Sequence, residues 1–372
     1  MLYIPFISSE WIHKAIEFEV MADFTKNKSM EFPRIVDIGH DAIDNVSSIC
    51  QTLHFGRNGL IVTGAESRKA AGKKVEDLMS ERRDMSTVLT GNATHENLAT
   101  VEQAARELKA SFILAVGGGS KIDLSKMVAS NLNIPFLSIP TSVAHDGIAS
   151  DRASIKSEKE SRSVSAVSPI GIIADTKVIN DAPYRYLAAG CADVISNLTA
   201  LWDWDFANRM QGEEMSSSAV IISRYAAEEI VSNCKFIKPG FEESVWFVLK
   251  PIVASGVSML IAGSSRPTSG SEHMFSHALD VIKPDTALHG EQCGVGAIMM
   301  MKLQGGHWER IRDALKSIGA PTTAEELGFT DNEVVRALVM AKEMRKERFT
   351  VLGDRGLSKE AAERVAKATG VI

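Results

Sequence analysis

Between Pro33 and Ile179 short apolar runs alternate with amphipathic stretches. Arg34–Ile38, Leu60–Thr63, Ser86–Leu89, Phe112–Val116, Phe136–Ile139 and Gly171–Ala174 have the length and apolar, β-branched character of strands. Glu66–Met79 and Glu96–Lys109 show helical spacing, the second with Thr94 as an N-cap. Strand–helix alternation of this kind predicts a parallel sheet with helices on both faces. The polar stretch Ser154–Ser168 interrupts it, and the serine alternation in Ser161–Ala166 reads as a solvated hairpin. After Asp181-Ala182-Pro183 the period changes to 3.6. Leu187–Asn208, Ser216–Phe236, Glu242–Ala262, Glu291–Leu303, Trp308–Ile318, Asp331–Glu347 and Lys359–Thr369 read as successive helices. The expected organisation is an amphipathic helical extension over residues 1–31, an α/β domain over 32–181 and an all-α domain over 182–372.

A chain of 372 residues is too long for one simple core, which agrees with that division. The net charge of −6 argues against nucleic acid or an anionic membrane as the main partner, but not against a small phosphorylated ligand. Cys50, Cys191, Cys234 and Cys293 are scattered without a Cys-x-x-Cys pair, which argues against a disulfide framework and a thiolate zinc site and fits a reducing cytoplasm. The most apolar segment, near Ile252–Ala262, reads as too short to span a bilayer. Glu10, Glu17 and Glu19, without a basic region before them, do not read as a signal peptide. The expectation is a cytoplasmic protein without membrane insertion.

Three motifs carry chemistry. The strand Phe112–Val116 runs into Gly117-Gly118-Gly119-Ser120-Lys121-Ile122-Asp123, where glycines admit a close ligand and Ser120 can cap the following helix. Free amides at such a helix start suit a pyrophosphate, although a plain strand–helix turn uses glycine equally well. A second loop, Pro140-Thr141-Ser142-Val143-Ala144-His145-Asp146-Gly147-Ile148-Ala149-Ser150, follows the next strand at the same sheet edge. Finally, His273 and His277 stand at i and i+4 on one helical face, and His289 follows the Lys283-Pro284 break. Neutral imidazoles can converge there on a divalent metal, yet most such pairs are ordinary surface or core histidines.

Together these motifs resemble the iron-containing alcohol dehydrogenase, glycerol dehydrogenase and dehydroquinate synthase superfamily. His145-Asp-Gly-Ile-Ala-Ser150 and Ser271-Glu-His-Met-Phe-Ser-His-Ala-Leu-Asp280 are most similar to its archaeal-type sn-glycerol-1-phosphate dehydrogenase branch. The resemblance extends over Phe32–Ile372. It implies an α/β dinucleotide-binding domain, an all-α metal-binding domain and a site between them. It also implies metal ligands Asp193, His273 and His289, with zinc favoured over iron. His277 and Asp146 become the catalytic and substrate-contacting residues, and Asp193 also faces the substrate. The cofactor contacts implied are Gly118, Gly119, Ser120, Lys121, Ile122, Asp123, Thr141, Ser142, Val143, Ala144 and Ser150. The implied reaction is reduction of dihydroxyacetone phosphate by NAD(P)H, in a homo-oligomer that supplies ether-lipid backbones. A polyol dehydrogenase or a dehydroquinate synthase-like lyase on the same scaffold are the alternatives. Because Leu60–Thr63 ends in Thr63-Gly64 without an acid, and Arg68 follows, both NAD(H) and NADP(H) are expected to bind. The sequence marks no basic residue as the grip for a substrate phosphate.

Overall fold

The computed structural model describes residues 27–156 and 161–372. The extension expected over residues 1–31 lies outside them, apart from 27–31, which carry no regular structure. Phe32–Ile372 forms one compact unit.

Its first half is a parallel sheet of six strands in the order β1-β8-β5-β4-β2-β3. These are β1 (Ile35–Gly39), β2 (Asn58–Thr63), β3 (Asp84–Leu89), β4 (Phe112–Gly117), β5 (Phe136–Pro140) and β8 (Gly171–Asp175). Alternation along β4 shows why the strands read as continuous apolar runs. Ile113 and Ala115 join the core shared with the helical half, while Phe112, Leu114 and Val116 join a second core on the opposite face. Both faces are covered, as a parallel sheet requires. Helices α1 (Val46–Thr52), α2 (Ala65–Ser67, then one π-turn Arg68–Gly72, then Lys73–Ser80), α3 (His95–Leu108) and α4 (Gly119–Leu132) make the connections. The expected hairpin is present as β6 (Arg152–Lys156) antiparallel to β7 (Ser161–Ser165).

From β2 the chain moves to β3 on one side and returns to β4 on the other. That reversal opens a crevice at the carboxyl ends of β2 and β4, the place where open α/β sheets bind ligands. The glycine loop lies there. Gly118 is the N-cap of α4, so Ser120 sits inside the first turn instead of capping it.

Beyond β8 all regular structure is helical: α5 (Thr176–Asp181), α6 (Tyr184–Gln211), α7 (Ser217–Asn233), α8 (Glu242–Ala262), α9 (Ser271–Ile282), α10 (His289–Leu303), α11 (Trp308–Ile318), α12 (Ala324–Leu327), α13 (Asp331–Met344) and α14 (Lys359–Thr369). One expectation needs correction. Helix α8 runs unbroken through Pro251 and is long and apolar enough, by length and composition, to cross a bilayer. Val245, Val248, Leu249 and Ile252 on it are fully buried, so the apolar content serves the core. Helix α13 also stops at Met344, earlier than the periodicity suggested, and Arg345 turns away with φ −145° and ψ 79°.

Candidate active site

Three helices converge on one point. Asp193 lies on α6, His273 and His277 on α9, and His289 is the first residue of α10. Asp193 Oδ1 stands 3.7 Å from His273 Nε2 and 3.8 Å from His289 Nε2. The two rings meet edge to face with centroids 4.8 Å apart.

The neighbours fix which ring nitrogen carries a proton. His273 Nδ1 lies 2.9 Å from the buried carboxylate of Glu272, which can only accept, so Nδ1 carries the hydrogen. Ser276 donates its hydroxyl to Gln292 Oε1 at 2.6 Å and is left to accept from His289 Nδ1 at 3.1 Å. Both Nε2 lone pairs therefore face Asp193 Oδ1. That oxygen is buried without a hydrogen-bond partner. Three acceptor atoms face one another with only the weak Cys293 thiol donor beside them, 3.5 Å from His289 Nε2, an arrangement that costs free energy unless a cation stands among them. Ligands about 2.0–2.1 Å from a tetrahedral ion lie roughly 3.4 Å apart, close to the separations seen. The Glu272–His273 contact is the carboxylate–histidine pairing that fixes ring orientation at metal sites. The donor set fits a divalent metal.

The titrating groups agree. Burial first, and then the charge of Asp193, push Asp146 up to about 7. Burial likewise raises Asp193 to about 7 and lowers His273, His277 and His289 below the usual imidazole value. Burial makes all these groups resist charge, and a bound cation reverses that preference for the carboxylates.

Asp146 joins the cluster from the second loop. Its backbone N–H donates to Asp193 Oδ2 at 3.1 Å, and its Oδ2 accepts from Ser255 on α8 at 2.8 Å. His277 stands one turn beyond His273, its ring stacked 6.0 Å from that of His289, and its Nδ1 is buried without a partner. It is beside the three ligand candidates and outside their contact set.

Two glycines let this loop and these helices meet. A Cβ on Gly190 of α6 would come 2.5 Å from Val143 O, and one on Gly290 of α10 would come 2.0 Å from Ala189 O and 2.9 Å from Ala144 O. The backbone of Val143 and Ala144 is thereby wedged against the helices that carry Asp193 and His289. At its other end the loop reaches the glycine turn, where Thr141 N–H donates to Gly117 O at 3.2 Å. His145 lies over the start of α4, accepting from Gly147 N–H at 2.9 Å.

The cofactor residues divide. Gly118, Gly119, Ser120 and Lys121 lie at the mouth of the crevice, and Lys121 donates to Gly91 O at 2.8 Å. Ile122, Val143 and Ser150 are fully buried. Asp123 is held by Ser154 N–H at 3.0 Å and by buried Lys126 at 3.4 Å, so its carboxylate anchors the hairpin. At the end of β2, Ser67 Oγ accepts from Gly64 N–H at 2.8 Å. Glu66 is exposed and paired with Lys69. Arg68 is paired with Glu76 at 2.7 Å.

Sequence reasoning missed Cys293. Its Sγ lies 3.5 Å from His289 Nε2, and it belongs with Asp193, His273 and His289 to a group whose ligand atoms lie within 4.8 Å of one another. The i, i+4 spacing from His289 was the signal available. Glu272 and Ser276 were missed too, since nothing in a sequence distinguishes a residue that orients a ligand from any other helical polar residue.

Residues 37–183 match the model for the iron-containing alcohol dehydrogenase family. The chain is 50% identical over 346 residues to the glycerol-1-phosphate dehydrogenase (NAD(P)+) of Methanosarcina mazei, covering 93% of this chain and 97% of that one. It is 46% identical to the protein of the same name from Picrophilus torridus, covering 94% and 100%. Among solved structures, a probable glycerol dehydrogenase from Sinorhizobium meliloti superposes with a TM-score of 0.76 at 16% identity, covering 92% of this chain and 98% of that one. Glycerol dehydrogenase from Schizosaccharomyces pombe gives 0.75 at 18% identity, covering 93% and 91%. These two likenesses concern the fold.

Proposed function

Because this chain belongs to the glycerol-1-phosphate dehydrogenase family, we propose that it reversibly reduces dihydroxyacetone phosphate to sn-glycerol 1-phosphate with NAD(P)H. The observation that carries the reading is the unpartnered, buried Asp193 Oδ1 between two inward-facing imidazole nitrogens. Asp193, His273 and His289 hold the metal, with Glu272 and Ser276 keeping the rings in their tautomers. Two nitrogens and one carboxylate oxygen suit zinc and iron alike, and zinc is our assignment. When bound, the ion supplies Lewis acidity at the substrate carbonyl and the nicotinamide supplies the hydride.

The protein's own residues orient and protonate. The amides of Gly118–Lys121 and the Thr141–Ala144 loop bind the dinucleotide across the β2/β4 crevice. Asp146, fixed by Ser255, accepts a hydrogen bond from the substrate hydroxyl. His277, with its free Nδ1 in the same cavity, passes a proton to the developing alkoxide. The reading includes a cytoplasmic homo-oligomer whose product becomes an ether-lipid backbone. Relatives at about half identity across nearly the whole chain favour this reaction over the polyol-dehydrogenase and lyase alternatives.

The test is NAD(P)H oxidation with dihydroxyacetone phosphate against dihydroxyacetone, followed by chiral analysis of the product. Chelation abolishes turnover and leaves the fold largely intact, because the large hydrophobic core does not depend on the ion. Chelated, metal-free protein that remains fully active would overturn the assignment.

A further inference from the structure

Arg345 and Arg348 follow the end of α13 on a segment that folds back to the loop before α9. Arg348 donates to Ser265 Oγ at 3.0 Å and to Ser269 O, and Arg345 reaches the same Ser265 Oγ at 3.5 Å. Two guanidinium groups therefore converge on one hydroxyl, and neither is exposed. Among the described residues, neither has a carboxylate within the 4.0 Å of an ion pair. The nearby charges do not supply one. Glu213 is taken by Arg266 in a two-pronged pair, and Glu272 already accepts from Gly270 N–H, Thr199 and His273. Arg266 and Arg345 instead add like charge around Arg348, and with burial as the larger cause they hold it down to about 9.

Such a pair is costly unless an anion joins it. Arg345 has one long hydrogen bond, and its other guanidinium nitrogens are not among the polar atoms sealed from solvent. They are open to a small solute. The position is also telling. Arg348 holds Ser269 O, and Gly270, the N-cap of α9, comes next, with Glu272 and the ligand candidate His273 in the first turn of that helix. The two guanidinium groups thus border the histidine cavity at the N-terminal end of α9. Guanidinium forks match the tetrahedral oxygens of a phosphate ester with geometry an ammonium lacks.

We propose that Arg345 and Arg348 form the phosphate subsite of the active site, gripping the phosphate monoester of a three-carbon substrate whose carbonyl end lies at Asp193, His273 and His289. This rests on the reaction proposed above and names the part of the pocket that separates a phosphorylated substrate from a free polyol. The Ser265 hydroxyl between the two forks keeps them apart and aimed before the anion arrives.

The experiment compares dihydroxyacetone phosphate with dihydroxyacetone on the same preparations of wild type, Arg345→Gln and Arg345→Lys. In Arg345→Gln the ratio of the two kcat/KM values falls at least about 100-fold, and inhibition by inorganic phosphate weakens in parallel. Arg345→Lys, which keeps the charge and loses the fork, lies between. The ratio cancels any loss of folded protein, since both substrates meet the same folded fraction. A ratio within about tenfold of wild type overturns the subsite. Wild type that fails to reduce dihydroxyacetone phosphate overturns the reaction instead. In that case calorimetric binding of inorganic phosphate, lost in Arg345→Gln, still decides whether the arginines bind an anion.

Discussion

Gly290→Ala tests whether close backbone approach builds the metal site. Residue 290 follows the ligand candidate His289, and an added Cβ would stand 2.0 Å from Ala189 O and 2.9 Å from Ala144 O. Both obstacles are backbone, so no side chain can swing away. Relief to even the shortest tolerated contact, about 3 Å, requires α10 to back off from α6 by about 1 Å. His289 moves with its helix while Asp193 stays on α6. Their separation of 3.8 Å then approaches 5 Å. Two ligands each about 2.1 Å from one ion cannot span more than about 4.2 Å even in line, so one is lost. Overpacking of this kind costs about 1–3 kcal/mol, or roughly 2–10 °C in Tm for a chain of this size. The assay is metal content by elemental analysis after gel filtration, with Tm measured on the same fractions. Gly39→Ala is the control, because nothing lies within 4 Å of a Cβ built there. Gly290→Ala protein with stoichiometric metal and a wild-type Tm would show that the helices yield elsewhere and refute the reasoning.

Three further outcomes are expected. His277→Ala lowers turnover about 10²–10⁴-fold while NADH affinity and metal content stay near wild type, since its Nδ1 is buried without a partner and outside the ligand contacts; near-native turnover with a lowered Tm removes it from the mechanism. Glu272→Gln weakens metal affinity about 10–100-fold, because the amide no longer fixes the His273 Nδ1 proton as the carboxylate does; competition with a chromophoric chelator measures it, and an unchanged affinity contradicts the tautomer assigned here. NADH and NADPH bind within about tenfold of each other, or about 1.4 kcal/mol, since Glu66 at the end of β2 faces solvent with Lys69 and Arg68 is held by Glu76; fluorescence titration showing a hundredfold preference for NADH would place a carboxylate in the ribose pocket.

What the sequence made legible follows from the range of each interaction. Strands β4 and β5 were read within a residue because both sheet faces are buried, which leaves an apolar run that local composition reports. His273 and His277 announced a shared face by spacing alone. Asp193 did not: on α6 it is one polar residue in a long helix, and only the family resemblance singled it out. Its place depends on a contact with Asp146 that is 47 positions away in the chain. Helix ends were read less well for a related reason. Helix α10 begins at His289 and not at Glu291 because the Glu291 side chain reaches back to Leu288 N–H at 2.8 Å, so an acid that looks like a helical start is its third residue. Likewise the helical period continues through Glu347, but the chain leaves α13 at Arg345. That departure is what brings Arg348 to Ser265 and Ser269, 83 and 79 positions away. Periodicity describes what a residue would do if only its neighbours mattered. The arginines forgo three more helical positions to stand beside the histidine cavity, and a repulsive pair held there against local preference points to a ligand that the chain itself does not contain.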